Sequence, residues 1–356
     1  MFFTFVVMKE VDYIVVGCGL AGIAFCEQLK SHGKSYVVFD DQSQQSSVIA
    51  AGLYNGVILK RFTEVWKAKE QLQLALAFYK SLAEKFQVKI DYTLPIYRRF
   101  ASIQEQNEWF TASDKPNLAP YLSAELIKNE NPSVIAPLGF GMVLQTGKIN
   151  TRVLLKHYKE NLQRENRYLH ETFNYENLNV GSDSLNYKHI KAKYILFAEG
   201  FGMLQNPFFK ELPMKAAKGE IIIIKAPELN IDFILKSSIY IIPEGNHLYS
   251  VGATYNWKDM THQITESAKE ELVNQLKAIV TCDFEVVNQV AAIRPTVKDR
   301  RPMVGVHANH KNIALLNGLG TRGVMLAPYL AKQLFEHLEH QQALDHEIDI
   351  KRFDLN

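Results

Sequence analysis

The chain has 356 residues, 47% of them hydrophobic and 22% charged, with a formal net charge of +2. That length suffices for two domains, or for one domain inserted into another, and the composition excludes collagen-like, disordered and membrane classes. The charge lacks the basic excess of a dedicated nucleic-acid binder, although a local basic patch stays open.

Three cysteines occur, Cys18, Cys26 and Cys282, without C-x-x-C or a spacing that suggests a disulfide frame or zinc site. A reducing cytoplasm is expected. The opening Met1 to Met8 is apolar but has no basic start, and charged residues follow at Lys9, Glu10 and Asp12. It is too short for a signal peptide, and no run reaches the roughly 18 apolar residues of a membrane span. Met8 reads as a natural start for the strand behind it.

In chain order, a β-rich run from Tyr13 to Val16 meets a glycine turn, a helical stretch from Ile23 to Lys30 and a second β run from Ser35 to Phe39. This is a βαβ unit. A helix is expected at about 64 to 86. Short β runs, Ile96 to Ala101 and Gly141 to Gln145, suggest an antiparallel inserted layer. A helix from Thr151 to Leu162 and a strand from Tyr194 to Ala198 return to the first domain. Glu220 to Lys225, Ser238 to Ile242, Leu248 to Ala253 and a helix from Thr265 to Ile279 rejoin the inserted layer. The strand Ile313 to Leu316, a glycine turn from Gly318 to Gly323 and a helix from about Val324 to Leu338 close the chain. The expected fold is α/β: a Rossmann-like nucleotide domain (1–87, 147–212 and 295–356) and an α+β substrate domain (88–146 and 213–294) with a mostly antiparallel sheet.

Gly17-Cys18-Gly19-Leu20-Ala21-Gly22 follows a strand and opens a helix, the context that the G-x-G-x-x-G fingerprint requires. Gly17 makes the tight turn, Gly19 lets backbone approach a pyrophosphate, and Gly22 lets helix and strand pack closely. Backbone N–H groups and the helix dipole hold the anion. Asp40 ends the second strand, about twenty residues beyond the first glycine, where a carboxylate accepts from ribose hydroxyls. Asp41 is its neighbouring candidate. FAD and NAD share this adenosine chemistry, so the unit alone does not choose between them.

Several separated motifs, in order, resemble those of the D-amino acid oxidase and glycine oxidase family of flavoproteins. Ser46-Ser47-Val48-Ile49-Ala50-Ala51-Gly52-Leu53 is similar to the family's small-residue segment along the flavin. Phe197-Ala198-Glu199-Gly200 resembles its second glycine turn, with Glu199 in place of the usual small residue. Lys218-Gly219-Glu220, Tyr240-Ile241-Ile242-Pro243 and Val251-Gly252-Ala253-Thr254 resemble strands of its substrate domain. Ala292-Ile293-Arg294-Pro295 resembles its arginine-proline motif, and Gly318 to Pro328 its closing segment.

The resemblance implies a non-covalently bound FAD, since no flavin-attaching cysteine motif is present. It implies oxidation of an amino acid or other carboxylated amine, with electrons passing to oxygen or another acceptor. Ser47, Ala51, Gly52, Leu53, Ala198, Gly200, Gly320, Thr321, Gly323, Val324 and Met325 would then line the cofactor. Arg294 would grip the substrate carboxylate beside the flavin, with a hydrogen bond added by Tyr240. The helix N-terminus at Gly323 would stabilise charge on the reduced flavin. Arg322, which lies one position from the arginine that glycine oxidases carry there, is a further candidate for both the catalytic site and the cofactor. The strings around Gly318 to Pro328 and Arg294 to Gly305 look closer to the oxidase domain of the bifunctional enzyme that makes 5-methylaminomethyl-2-thiouridine in tRNA. A wobble-nucleoside oxidase is therefore a second reading. A flavin-binding sensor or assembly protein is a third, and an NAD-dependent dehydrogenase a fourth. The histidines show no metal-ligand spacing, so no metal is expected.

Overall fold

The computed structural model describes residues 8–353. The reading of Met8 as the start concerns residues 1–7, which lie outside that range. The chain forms two compact units. The first is built from the chain up to Val48, from Arg152–Ala216 and from Arg294 onward; the second comprises Ile49–Thr151 and Ala217–Ile293.

The first unit centres on the strand Lys9–Val16, paired in parallel with Tyr36–Phe39 on one side and Ile190–Phe197 on the other. His310–Asn317 continues the parallel order beside Ile190–Phe197, and Met303–His307 returns antiparallel at the edge. Tyr13, Ile14 and Val15 are wholly buried, as a central parallel strand must be when both faces are covered. The helix Leu20–Ser31 turns Ile23, Ala24, Phe25 and Leu29 inward. Burial of each large apolar side chain is worth about 1.5–3 kcal/mol. The helix Gly323–His340 lies beside it: His32 stacks on Phe335 at 4.2 Å, and Glu339 takes bonds from Tyr13 and Lys34.

The second unit holds an eight-stranded sheet in the order Glu285–Arg294, Ala217–Lys225, Leu248–Gly252, Tyr240–Gly245, Ile234–Lys236, Ile96–Arg99, Phe140–Val143 and Leu122–Ile127. From Ala217–Lys225 onward its neighbours are antiparallel, except that Ile234–Lys236 runs parallel to Ile96–Arg99. One face packs Ile222, Leu235, Ile241 and Val251 against Leu272 and Leu276 of the helix Glu266–Lys277. Thr265 caps that helix by accepting from the Ala268 N–H.

The unit boundaries differ from the expected ones. Residues 49–87 belong to the second unit, because Leu53–Tyr54 pairs with Gly147–Ile149, which pairs in turn with Asp91–Thr93. A Cβ on Gly52 would collide with the Ile149 carbonyl, and Gly52 has φ +72°, so only glycine fits this junction. Residues 213–216 go instead with the first unit, where Lys215 N donates to Thr296 O at 2.7 Å. The first long helix begins at Ala68 rather than 64, since Thr63–Glu64 forms a small hairpin with Val57–Ile58.

Candidate flavin and substrate site

In the first unit the residues expected to hold a dinucleotide gather at the C-terminal ends of the parallel strands, where open α/β sheets take their ligands. A Cβ on Gly22 would run into the carbonyl oxygen of Gly17, so this glycine allows helix and turn to touch. Gly19 is different. A Cβ there would meet only the Ser47 side chain, with Oγ at 3.0 Å. Ser47 Oγ also accepts from the Leu20 N–H at 3.2 Å, at the first residue of the helix. Gly19, Leu20 and Ser47 thus form an amide-and-hydroxyl edge with room for an anion. Ala21 and Gly22 are buried within the first turn.

Asp40 lies beside that edge. Its Oδ1 accepts from the Cys18 N–H at 3.2 Å, while Oδ2 accepts from the Tyr168 hydroxyl at 2.9 Å and pairs with Lys159 at 2.7 Å. The carboxylate is therefore fixed and charge-compensated. Asp41 serves its own loop, accepting from Ser43 N at 2.9 Å and Thr172 Oγ1 at 3.0 Å.

The second glycine turn and the closing turn are joined to the same edge. Ala198 N donates to Val16 O at 2.8 Å, and the Ala198 carbonyl lies 2.5 Å from where a Cβ on Gly17 would stand. Asn317 Nδ2 donates to Gly200 O at 2.9 Å. Gly320 N donates to Pro295 O at 3.0 Å, which fixes the residue after Arg294 against the closing turn. A Cβ on Gly323 would lie 3.2 Å from Leu20 Cδ1, so two helix N-termini open side by side. Both carry the positive end of a dipole. Thr321 is exposed, Arg322 is the N-cap residue, and the side chains of Val324 and Met325 are buried.

Glu199 supplies something the sequence marked only as a departure. Its carboxylate accepts from Asn206 Nδ2 at 2.7 Å and from the Tyr175 hydroxyl. Burial pushes the Glu199 carboxyl up to about 7, against the lowering effect of those two bonds. Nearby, Gln44 Oε1 is buried without a hydrogen-bond partner, and its amide lies 3.6 Å from where a Cβ on Gly202 would stand. An unsatisfied buried acceptor at the strand ends is expected where a polar ligand completes the shell. Together with the open cradle at Gly19, it fits a bound dinucleotide.

A family model described as "DAO: FAD dependent oxidoreductase" matches residues 12–337. The chain belongs to this family. The DAO match makes FAD the cofactor, and it spans both units. One curated relative is the tRNA 5-methylaminomethyl-2-thiouridine biosynthesis bifunctional protein MnmC of Marinobacter nauticus, 21% identical over 93% of this chain and 56% of its own length. The DAO chain described here thus spans about half the length of that relative. Glycine oxidase from Geobacillus kaustophilus has a similar structure, with a TM-score of 0.76 at 18% identity, covering 98% of this chain and 99% of that one. Iminodiacetate oxidase from Chelativorans sp. BNC1 superposes with a TM-score of 0.75 at 15% identity, over 94% and 96% of the two chains. These likenesses confirm the expected fold class.

Ala51, Gly52, Leu53 and Tyr240 belong to the second unit, where the first three flank the junction with Gly147–Ile149. Tyr240 opens its strand, opposite Lys236 on one side and Gly252 on the other. Arg294 ends the strand Glu285–Arg294. Sequence reasoning missed Lys159, Tyr168 and Asn317, since each acts through a partner over a hundred residues distant. Among the described residues no cluster of histidine, cysteine or carboxylates suits a metal ion, and no helix is long and apolar enough to cross a membrane.

Proposed function

We propose that the protein oxidises the C–N bond of an amino acid or another carboxylated primary or secondary amine. Bound FAD would supply the hydride acceptor, its N5. The chain's part is orientation and charge stabilisation. Arg294 grips the substrate carboxylate with two parallel hydrogen bonds, as a planar guanidinium does best, and Tyr240 adds a hydroxyl contact. The N-terminus of the helix Gly323–His340 favours negative charge in front of it. Water then hydrolyses the imine product, and the electrons leave to oxygen or another acceptor. The observation that supports this reading most is the bond from Gly320 N to Pro295 O, which holds the arginine-proline motif against the turn that opens that helix.

The test is anaerobic titration of the purified yellow protein with a panel of amines while the flavin band is followed. Bleaching by carboxylated amines is expected. A flavin that neither these amines nor modified tRNA reduces would make the protein a sensor or assembly factor rather than an oxidase of this class. A second reading, oxidation of a carboxymethylated amine on a tRNA nucleoside, is favoured by the MnmC relative matched along 93% of this chain. Reduction by modified tRNA but not by free amino acids would select it.

A further inference from the structure

On the second unit's sheet, Arg98, Lys236, Tyr240 and Gly252 are successive cross-strand partners on four neighbouring strands. Directly paired residues point to the same face. The adjoining row, Leu235, Ile241 and Val251, faces the apolar core under the helix Glu266–Lys277. Arg98, Lys236 and Tyr240 therefore share the opposite face. Both Lys236 and Tyr240 are partly buried there, and Gly252 carries no side chain beside the tyrosine.

The two cations of this row are treated differently. Arg98 Nε donates to Glu105 Oε1 at 2.8 Å, its Nη2 pairs with the same carboxylate, and Nη1 donates to Ser237 O at 2.7 Å. Among the described residues no carboxylate pairs with Lys236. Its Nζ donates to the Ser238 carbonyl at 3.1 Å and lies 4.3 Å from the centroid of the Tyr240 ring. Burial, and next the Arg98 charge, lower its pKa to about 8. A partly buried ammonium that meets only a carbonyl and a ring face is incompletely compensated, and such charges are ordinarily paired. The ring face holds the ammonium where a cation–π contact is favourable, leaving further N–H donors for an acceptor.

We infer that Lys236 and Tyr240 form an anion-binding pair that receives the carboxylate of the substrate. The inference rests on the proposed oxidation of a carboxylated amine, and it adds a residue that neither the glycine motifs nor the arginine-proline motif announces. Lys236 acts as a point charge on the carboxylate, with the Tyr240 ring orienting it. Arg98 is already paired with Glu105 and is not the cation that receives the substrate.

The experiment is calorimetric titration of the FAD-loaded protein with acetate, its uncharged analogue acetamide, and inorganic phosphate, for the wild type, Lys236→Met and Lys236→Arg. Acetate should bind the wild type and acetamide should not. Lys236→Met should weaken acetate by roughly ten- to a hundredfold, the range of one charge-assisted hydrogen bond, while Lys236→Arg retains most of the affinity. Flavin content and melting temperature, measured alongside, identify a misfolded variant, and Lys236→Arg then carries the test through its retained preference for acetate over acetamide. Equal acetate affinity in wild type and Lys236→Met, no acetate binding at all, or a preference for phosphate would overturn the inference. Its failure is distinguishable from failure of the functional proposal. Carboxylated amines that bleach the flavin while Lys236→Met keeps full acetate affinity remove Lys236 alone. Acetate binding that depends on Lys236, in a protein whose flavin no amine reduces, removes the oxidation alone.

Discussion

The side-chain amide of Asn317 donates to the carbonyl of Gly200 at 2.9 Å, while its Oδ1 accepts from Gly318 N at 2.7 Å. One side chain, 2% exposed, thereby ties the second glycine turn to the closing turn. Asn317→Ala should leave a buried carbonyl and a buried N–H without these partners, at a cost of about 1–3 kcal/mol for each group left unsatisfied. Calorimetric melting should show the loss, and fluorescence titration should show weaker FAD binding. Unchanged melting and unchanged FAD affinity would mean that water replaces the amide.

The two central glycines of the first turn should fail in different ways. Gly22→Ala brings a methyl group against the Gly17 carbonyl and should prevent folding. Gly19→Ala presses only on Ser47 Oγ at 3.0 Å, so the protein should fold but purify pale, since the methyl occupies space needed for the pyrophosphate. Circular dichroism together with flavin content separates the two. A yellow Gly19→Ala protein would exclude close approach of phosphate at that residue.

Stability should depend on pH through Glu199. Its carboxyl ionises near 4.5 when unfolded but is raised to about 7 in the folded chain by burial. The folded state holds its proton more tightly, so stability falls as pH rises from about 4.5 and levels off above about 7. The whole effect is at most about 3 kcal/mol, at 1.36 kcal/mol per pKa unit. Glu199→Gln removes the ionisation, so its melting temperature should gain on the wild type between pH 5 and pH 8. Parallel curves over that range would show that Glu199 ionises normally.

For Arg294, replacement by alanine should weaken capture of a carboxylated amine by roughly tenfold to more than a hundredfold, since each charge-assisted bond is worth about 1.5–3 kcal/mol. Arg294→Lys should recover only part, because an ammonium cannot make the planar two-point contact. Stopped-flow flavin reduction is the measurement. An Arg294→Ala protein that stays folded and yellow, with unchanged apparent affinity and rate constant, would take Arg294 out of the site.

Acid precipitation should release the flavin into the supernatant. The thiol nearest the dinucleotide turn, Cys18, is buried, and burial followed by the Asp40 charge pushes its pKa far up. It remains a neutral thiol and a poor nucleophile. Colour retained in the pellet would show a covalent bond.

The first βαβ unit was legible because its signals are local: a buried strand, three glycines at fixed spacing and a terminal Asp40. The helices expected from Thr151 to Leu162 and from Thr265 to Ile279 were legible as stretches, and the structure gives them as Thr151–Arg164 and Glu266–Lys277. The unit boundary was not, because two-residue strands such as Leu53–Tyr54 carry no periodicity and find their partner near Gly147 only in the fold. Lys236 was invisible for a related reason. Its meaning depends on a register that sets it between Arg98 and Tyr240 and leaves the carboxylate of Glu105 to the arginine. Glu199 stood out as an unusual residue, but its burial depends on Tyr175 and Asn206 arriving from other segments.

The first unit is assembled from three separated stretches of chain, and the strand His310–Asn317 belongs to the third of them. During synthesis the glycine turn at Gly17 leaves the ribosome ahead of its partners at Ala198 and Gly323, which follow only after most of the second unit has been translated. Long-range pairing of this kind is slow and leaves sheet edges open. The nascent protein must therefore wait, with Ile190–Phe197 open along the edge that takes His310–Asn317, until that strand emerges. Chains interrupted before Asn317 should depend on chaperones for their solubility, and added FAD should not rescue them.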